Sequence, residues 1–336
     1  MTERNIACIA VDWGTSNRRA WLVDSTSSVI EERADGIGLL GVKDRRFAES
    51  LTSFLEPWLA GARGRPVIIA GMVGSRLGWV EVSYIKIPAP LSDLAQHLTK
   101  AGTVGESECW IVSGMSVEDA PQPEVMRGEE CQILGALLAR DITDSFFVLP
   151  GTHSKWARVV DRKLVDFRTH MTGEVFNMLR SGGTLAQLMV GDAEDADAFA
   201  EGVDASGRGP GLLNQLFGVR TLGLFGRVKG TGLASYLSGL LIGTEMRDAL
   251  RTWPELVDRG TLCIGSQAMI ARYGACARQI GLNLNGLDNN AVLPGAAAWI
   301  RSRIVANSRS ASSIRPAARV NLRSRSAAAS SGTLPL

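Results

Sequence analysis

The sequence predicts an α/β protein of two matching lobes that face each other across a cleft. Three observations lead there. The chain is 336 residues long, above the usual size of one domain. Its opening strand–turn–strand–strand order recurs 137 residues later. Short buried apolar runs alternate with amphipathic helical spacing, as expected for helices packed on sheets.

The elements follow in order. Residues 6–12 form an apolar run that Gly14 ends, with further strands over 19–24 and 29–33. This is a meander whose first turn, Trp13-Gly14-Thr15-Ser16-Asn17, is rich in turn-favouring residues. Helical spacing over 44–59 puts Phe47, Leu51, Phe54, Leu55 and Trp58 on one face. Residues 66–71 (PVIIAG) and 109–112 (CWIV) read as buried strands, and 129–139 as a helix. The opening pattern then returns: an apolar run over 146–150, a turn at Gly151-Thr152-His153-Ser154, and strands over 155–160 and 163–168. GTSNRRAWLVD and GTHSKWARVVD share one order, a Gly-Thr-polar turn and a strand ending in Asp, which points to a duplicated domain. Helices are expected over 212–216, 233–250, 266–281 (after a strand at 262–264) and 291–303. The resulting division is an N-terminal lobe 1–141, a C-terminal lobe 142–303, and a Ser/Ala/Arg-rich tail 304–336 expected to be disordered.

Composition narrows the function. Five scattered cysteines with no C-x-x-C pair fit reduced thiols in a cytoplasmic protein, and three histidines are too few for a histidine-rich metal cluster. No run approaches the roughly 18–20 apolar residues of a membrane span, and the start reads as a strand and not an export signal. The net charge of +2 belongs to residues 301–336, which hold seven arginines and no acid; residues 1–300 carry 29 basic and 34 acidic residues. Charge therefore gives no support for a nucleic-acid partner. A homodimer is left open.

The turns carry the chemistry. In Gly14-Thr15-Ser16-Asn17, glycine allows close backbone approach, and N–H groups and hydroxyls can cup an anion. Asp12, ending the preceding strand, is placed to hold Mg²⁺, which one or two carboxylates and substrate phosphates commonly bind. Arg18 can neutralise a phosphate or carboxylate. An ordinary hairpin with a solvated Asp is the plain alternative. A second turn, Gly151-Thr152-His153-Ser154-Lys155, on the other lobe would grip a polyphosphate from the opposite side, and lobe closure would exclude water. His153 can equally be a packed residue. Ile264-Gly265-Ser266, a strand running through glycine into a helix, suits an adenosine.

These three segments resemble the phosphate-1, phosphate-2 and adenosine segments of the acetate kinase/sugar kinase/Hsp70/actin superfamily. The strings VDWGTSNRRAWL, AGMVGSRLGW, LPGTHSKWA, THMTGEVFNML and YLSGLLIGTE closely resemble the 2-dehydro-3-deoxygalactonokinase family, a likeness running from Ile9 to Trp299. The resemblance implies two ribonuclease H-like (actin-like ATPase) lobes, ATP and Mg²⁺, and a 2-keto-3-deoxy sugar acid phosphorylated on its terminal hydroxyl. His153 departs from the glycine or aspartate that many superfamily members carry. The segment Met126-Arg127-Gly128-Glu129-Glu130 resembles the place where relatives put a catalytic acid: Glu129 is the first candidate for the base, then Glu130, then Glu174. First-turn acids that complement a helix dipole are the alternative. For the substrate carboxylate, Arg18, Arg76 and Arg127 are candidates, with Arg76 preferred because its loop follows a buried strand.

Gly36-Ile37-Gly38-Leu39-Leu40-Gly41 fits a dinucleotide fingerprint, but the strand before it is charged, unlike a buried first strand. No G-x-x-x-x-G-K-[ST] string occurs. An exopolyphosphatase-like phosphohydrolase and a non-catalytic nucleotide-binding regulator remain as alternatives on the same scaffold.

Overall fold

A computed structural model describes residues 5–313. The first lobe opens with β1 (Ile6–Trp13), β2 (Arg18–Asp24) and β3 (Val29–Asp35), followed by helix α1 (Phe47–Leu59) and β4 (Val67–Gly71). Short β5 (Tyr84–Lys86) and β6 (Ala89–Pro90), then β7 (Leu98–Val104), β8 (Ser107–Val112), β9 (Gly114–Val117) and β10 (Glu124–Met126) lead to α2 (Glu129–Arg140). The second lobe repeats the meander as β11 (Ser145–Leu149), β12 (Ser154–Val160) and β13 (Lys163–His170). A helical block follows: α3 (Thr172–Ser181), α4 (Gly183–Ala186), α5 (Ala196–Ser206), α6 (Leu212–Leu224) and the long α7 (Leu233–Thr252). The chain returns through β14 (Thr261–Gly265), α8 (Gln267–Ile280), β15 (Leu284–Asp288) and α9 (Asn289–Ser313).

The duplication expected from the turns is present in the sheets. The first has the order β3-β2-β1-β4-β8-β7 and the second β15-β14-β11-β12-β13-β6. Read outward from β1 and from β11, both run as an antiparallel meander on one side and two parallel neighbours on the other.

Strand alternation sends one face of each sheet toward the other lobe. Cys8 and Ala10 of β1, Phe147 and Leu149 of β11, Ile133 and Leu137 of α2, and Val292 and Ala296 of α9 share one buried cluster. Helices α2 and α9 thus form a layer between the sheets. The outer face of the first sheet packs on α1, and that of the second on α7 and α8.

The last helix departs from the sequence reading. It is helical to Ser313 and not only over 291–303, and it packs against α2 and β1 of the first lobe. Residues 314–336 of the expected tail lie outside the described residues. Among the described residues, no helix is long and apolar enough to cross a membrane, and all five cysteines are buried free thiols.

Candidate active site

Both hairpins open on one cleft of about 440 Å³, lined from the first lobe by Asp12, Gly14, Thr15, Arg127 and Glu129 and from the second by Gly151, Thr152, His153, Lys155, Gly265 and Ser266. On the first side, the Gly14 N–H donates to the Asn17 carbonyl across the turn at 3.0 Å. Leu39 and Leu40 donate their N–H groups to the carbonyls of Gly14 and Thr15, so the glycine-rich 36–41 segment braces this hairpin. Ser16 and Asn17 shape the turn without lining the cleft.

Two glycines bring Asp12 and Glu129 together. Gly71 ends β4 at φ +101°, and a Cβ there would stand 2.6 Å from the Trp13 carbonyl oxygen. Gly128, at φ +115°, lies so close that its Cβ would be 3.2 Å from the Gly71 Cα. Only glycine fits such conformations without strain, and through them the ends of β1 and β4 and the start of α2 converge. Burial pushes the Asp12 carboxyl up to about 6; Arg19 pulls it down and Glu129 pushes it further up. The two α2 glutamates divide their tasks. Glu130 is fully buried and takes the Gly128 N–H on both oxygens at 2.8 and 2.9 Å. Glu129 stays in the cleft, taking the Arg127 N–H at 3.0 Å. The third candidate base, Glu174, is held by His153 Nε2 at 2.5 Å and does not line the cleft.

The three candidate arginines separate. Arg18 points away from the cleft: its guanidinium is buried, donates to Asp35 and Ser50, and lies 4.3 Å over the Phe54 ring. Arg76 is exposed and outside the cleft, although Gly71 and Met72 of its loop do line it. Arg127 lines the cleft, is buried, and stacks 4.2 Å over Tyr84. Its Nη2 donates to the Val82 carbonyl at 2.6 Å, while Nε and Nη1 are buried with no hydrogen-bond partner among the described residues. An unpaired buried guanidinium is costly, so this one is suited to an anionic ligand. The sequence reading missed Arg19, which pairs with Asp12 at 3.7 Å and donates to Asn290 Oδ1 at 2.7 Å. A four-residue turn sets Trp13 opposite Arg18, hence Asp12 opposite Arg19, and that count was available.

On the second lobe, Lys155 is buried, lines the cleft, and has no acidic partner among the described residues. Ser154, its neighbour on the opposite face of β12, is turned into the lobe and donates to Glu245 at 2.7 Å. Ser266 caps α8, accepting the Met269 N–H at 3.4 Å. The cleft continues into a 270 Å³ cavity that shares Gly151, Thr152 and Met269 with it, and then into a 630 Å³ cavity along Ala268, Ala271 and Ala275 of α8. Among the described residues no three His, Cys, Asp or Glu side chains converge as a metal cage. Magnesium held by one or two carboxylates and phosphate oxygens needs none, and the cleft carboxylate of Asp12 fits that role.

Two ribonuclease H-like lobes around such a cleft define the actin-like ATPase and sugar-kinase class. The fold comparison agrees: a Clostridium difficile activator of 2-hydroxyisocaproyl-CoA dehydratase aligns over 93% of this chain and 99% of its own at a TM-score of 0.52 and 12% identity. Closer likeness is specific. The 2-keto-3-deoxy-galactonokinase family model matches residues 12–298. The 2-dehydro-3-deoxygalactonokinase of Escherichia coli (strain K12) is 33% identical over 83% of this chain and 92% of its own. The crystal structure of a Sinorhizobium meliloti protein described by the same enzyme name aligns over 94% of this chain and all of its own, with a TM-score of 0.79 and 30% identity. The chain belongs to the 2-keto-3-deoxy-galactonokinase family.

Proposed function

We propose that this protein is an ATP-dependent kinase that phosphorylates the terminal hydroxyl of 2-dehydro-3-deoxy-D-galactonate, giving the 6-phospho product. One observation carries the reading: a single cleft gathers a carboxylate pair, Asp12 and Glu129, a buried lysine without an acidic partner among the described residues, and a buried arginine with two donors unpartnered among them.

The sugar acid occupies the first-lobe side. Arg127 takes its carboxylate, and Tyr84 fixes the guanidinium plane. ATP reaches in from the second lobe. Its nucleoside lies in the cavities along α8, and its phosphates lie under the Gly151–Lys155 turn, with Lys155 neutralising charge. Glu129 accepts the proton of the attacking hydroxyl, and the hairpins hold acceptor and donor in line. Asp12, together with phosphate oxygens, would hold Mg²⁺, which supplies neutralisation of the charge spread over the transferred group. A cytoplasmic location is supported by the five separate, buried thiols.

The test is a coupled assay of the purified protein with ATP, Mg²⁺ and a panel of 2-keto-3-deoxy sugar acids. ADP release that depends on the acid, with a phosphomonoester at the terminal carbon, is expected. Phosphate release without acceptor phosphorylation would refute the proposal.

A further inference from the structure

Behind the Gly151–Lys155 turn lies a buried carboxylate that touches no part of the cleft. Glu245, on α7, is 2% exposed and accepts four hydrogen bonds. Oε1 takes Ser154 Oγ at 2.7 Å and Trp156 Nε1 at 2.8 Å; Oε2 takes the Tyr273 hydroxyl at 2.9 Å and the Thr172 hydroxyl. A carboxylate that accepts four hydrogen bonds is close to saturated. The Tyr273 hydroxyl is pushed well above its ordinary value by burial first and by Glu245 second.

The four donors come from three walls of the nucleotide path. Ser154 and Trp156 begin β12, where the phosphate turn ends. Thr172 begins α3, whose first turn is fastened to that hairpin by the Glu174 N–H to Thr152 carbonyl bond at 3.0 Å and the His153–Glu174 pair. Tyr273 stands on α8, two turns beyond Ser266. Thr172 and Tyr273 also line the 270 Å³ cavity that joins the cleft to the cavity along α8. We propose that Glu245 is the positioning residue of the nucleotide site, locking the phosphate hairpin, α3 and α8 into one arrangement. The proposal rests on the kinase reading for what occupies the site, not for the network itself.

The experiment uses the full chain carrying Glu245→Gln, and separately Tyr273→Phe. It reads ADP affinity by titration calorimetry, KM for ATP and for the sugar acid, and backbone hydrogen exchange. The glutamine keeps one acceptor oxygen and turns two N–H donors toward donors. ADP binding and KM for ATP should therefore weaken about tenfold or more, with KM for the sugar acid held within about twofold. Exchange at 151–155 should quicken while exchange at 14–17 stays unchanged. Tyr273→Phe, which removes one donor, should shift the same quantities by about threefold. A folded Glu245→Gln protein with wild-type ADP affinity and hairpin exchange would overturn the proposal, as would equal weakening of both substrates. If Glu245→Gln does not fold, wild-type ADP affinity in Tyr273→Phe overturns it. Calorimetry and exchange need no turnover, so a protein that binds ADP but phosphorylates no sugar acid would refute the kinase reading alone.

Discussion

Arg127 and Arg18 illustrate how neighbouring chemistry separates binding from folding. Arg127 lines the cleft and keeps two buried donors that no group among the described residues takes, so Arg127→Ala should raise KM for the sugar acid about 100-fold and leave KM for ATP nearly unchanged, by steady-state kinetics. Arg18 is spent on Asp35, Ser50 and the Phe54 ring, so Arg18→Ala should lower stability by about 2 kcal/mol in urea unfolding with both KM values kept. Glu130 gives a pH signature. Burial first, and Glu129 second, push its carboxyl up to about 8. Its folded pKa thus exceeds its unfolded one, so its contribution is fully present below about 4.5 and is lost as pH rises through about 8. Urea midpoints measured across that window should fall less steeply in Glu130→Gln than in the wild type. At this scale the sequence revealed residue types better than directions. Asp12, Glu129, Lys155 and Arg127 were visible as candidates, whereas Arg18 and Arg19 are adjacent and face opposite sides of β2, a difference that residue type hides and the count across the four-residue turn decides.

At the scale of elements, the site is two hairpins and the N-terminus of α2. Glu129 is held by its bond to the Arg127 N–H, so Glu129→Gln should keep that contact and lose the proton acceptor. Its kcat should fall about 10²–10⁴-fold, with both KM values within a few fold, in the coupled assay. A near-normal kcat would move the base elsewhere. The strands of both meanders, α1, α2, α7 and α8 were legible because each pairs a clear period with Gly or polar punctuation. The α3–α6 block was largely missed. Its outer surface leaves Leu213, Phe217 and Phe225 exposed, so apolar residues there do not mark one face. Short β5, β9 and β10 carry too few residues for a period of two to register.

For the whole molecule, the duplicated sheets were readable from the matching turns, but the layer between them was not. Nothing local to residues 289–303 says that this helix returns to the first lobe; its partners, α2 and β1, lie more than a hundred residues away in sequence. Gly135 of α2 marks the contact, since a Cβ there would stand 1.9 Å from the Val292 carbonyl oxygen. Gly135→Ala should force the two helices apart and destabilise the protein by about 1–3 kcal/mol in chemical unfolding, even though alanine favours helix. The lobes also differ where it matters: the position facing Arg19 is Asp12, while the one facing Lys155 is apolar Leu149. A duplicated frame therefore carries both cleft carboxylates, Asp12 and Glu129, on one wall and the cleft lysine, Lys155, on the other. The most direct test of this account is a crystal structure with a non-hydrolysable ATP analogue, Mg²⁺ and the sugar acid. The γ-phosphate should lie between the Gly14 and Gly151 turns, with the acid's carboxylate on Arg127 and its terminal hydroxyl at Glu129; a nucleotide bound away from both turns would contradict it.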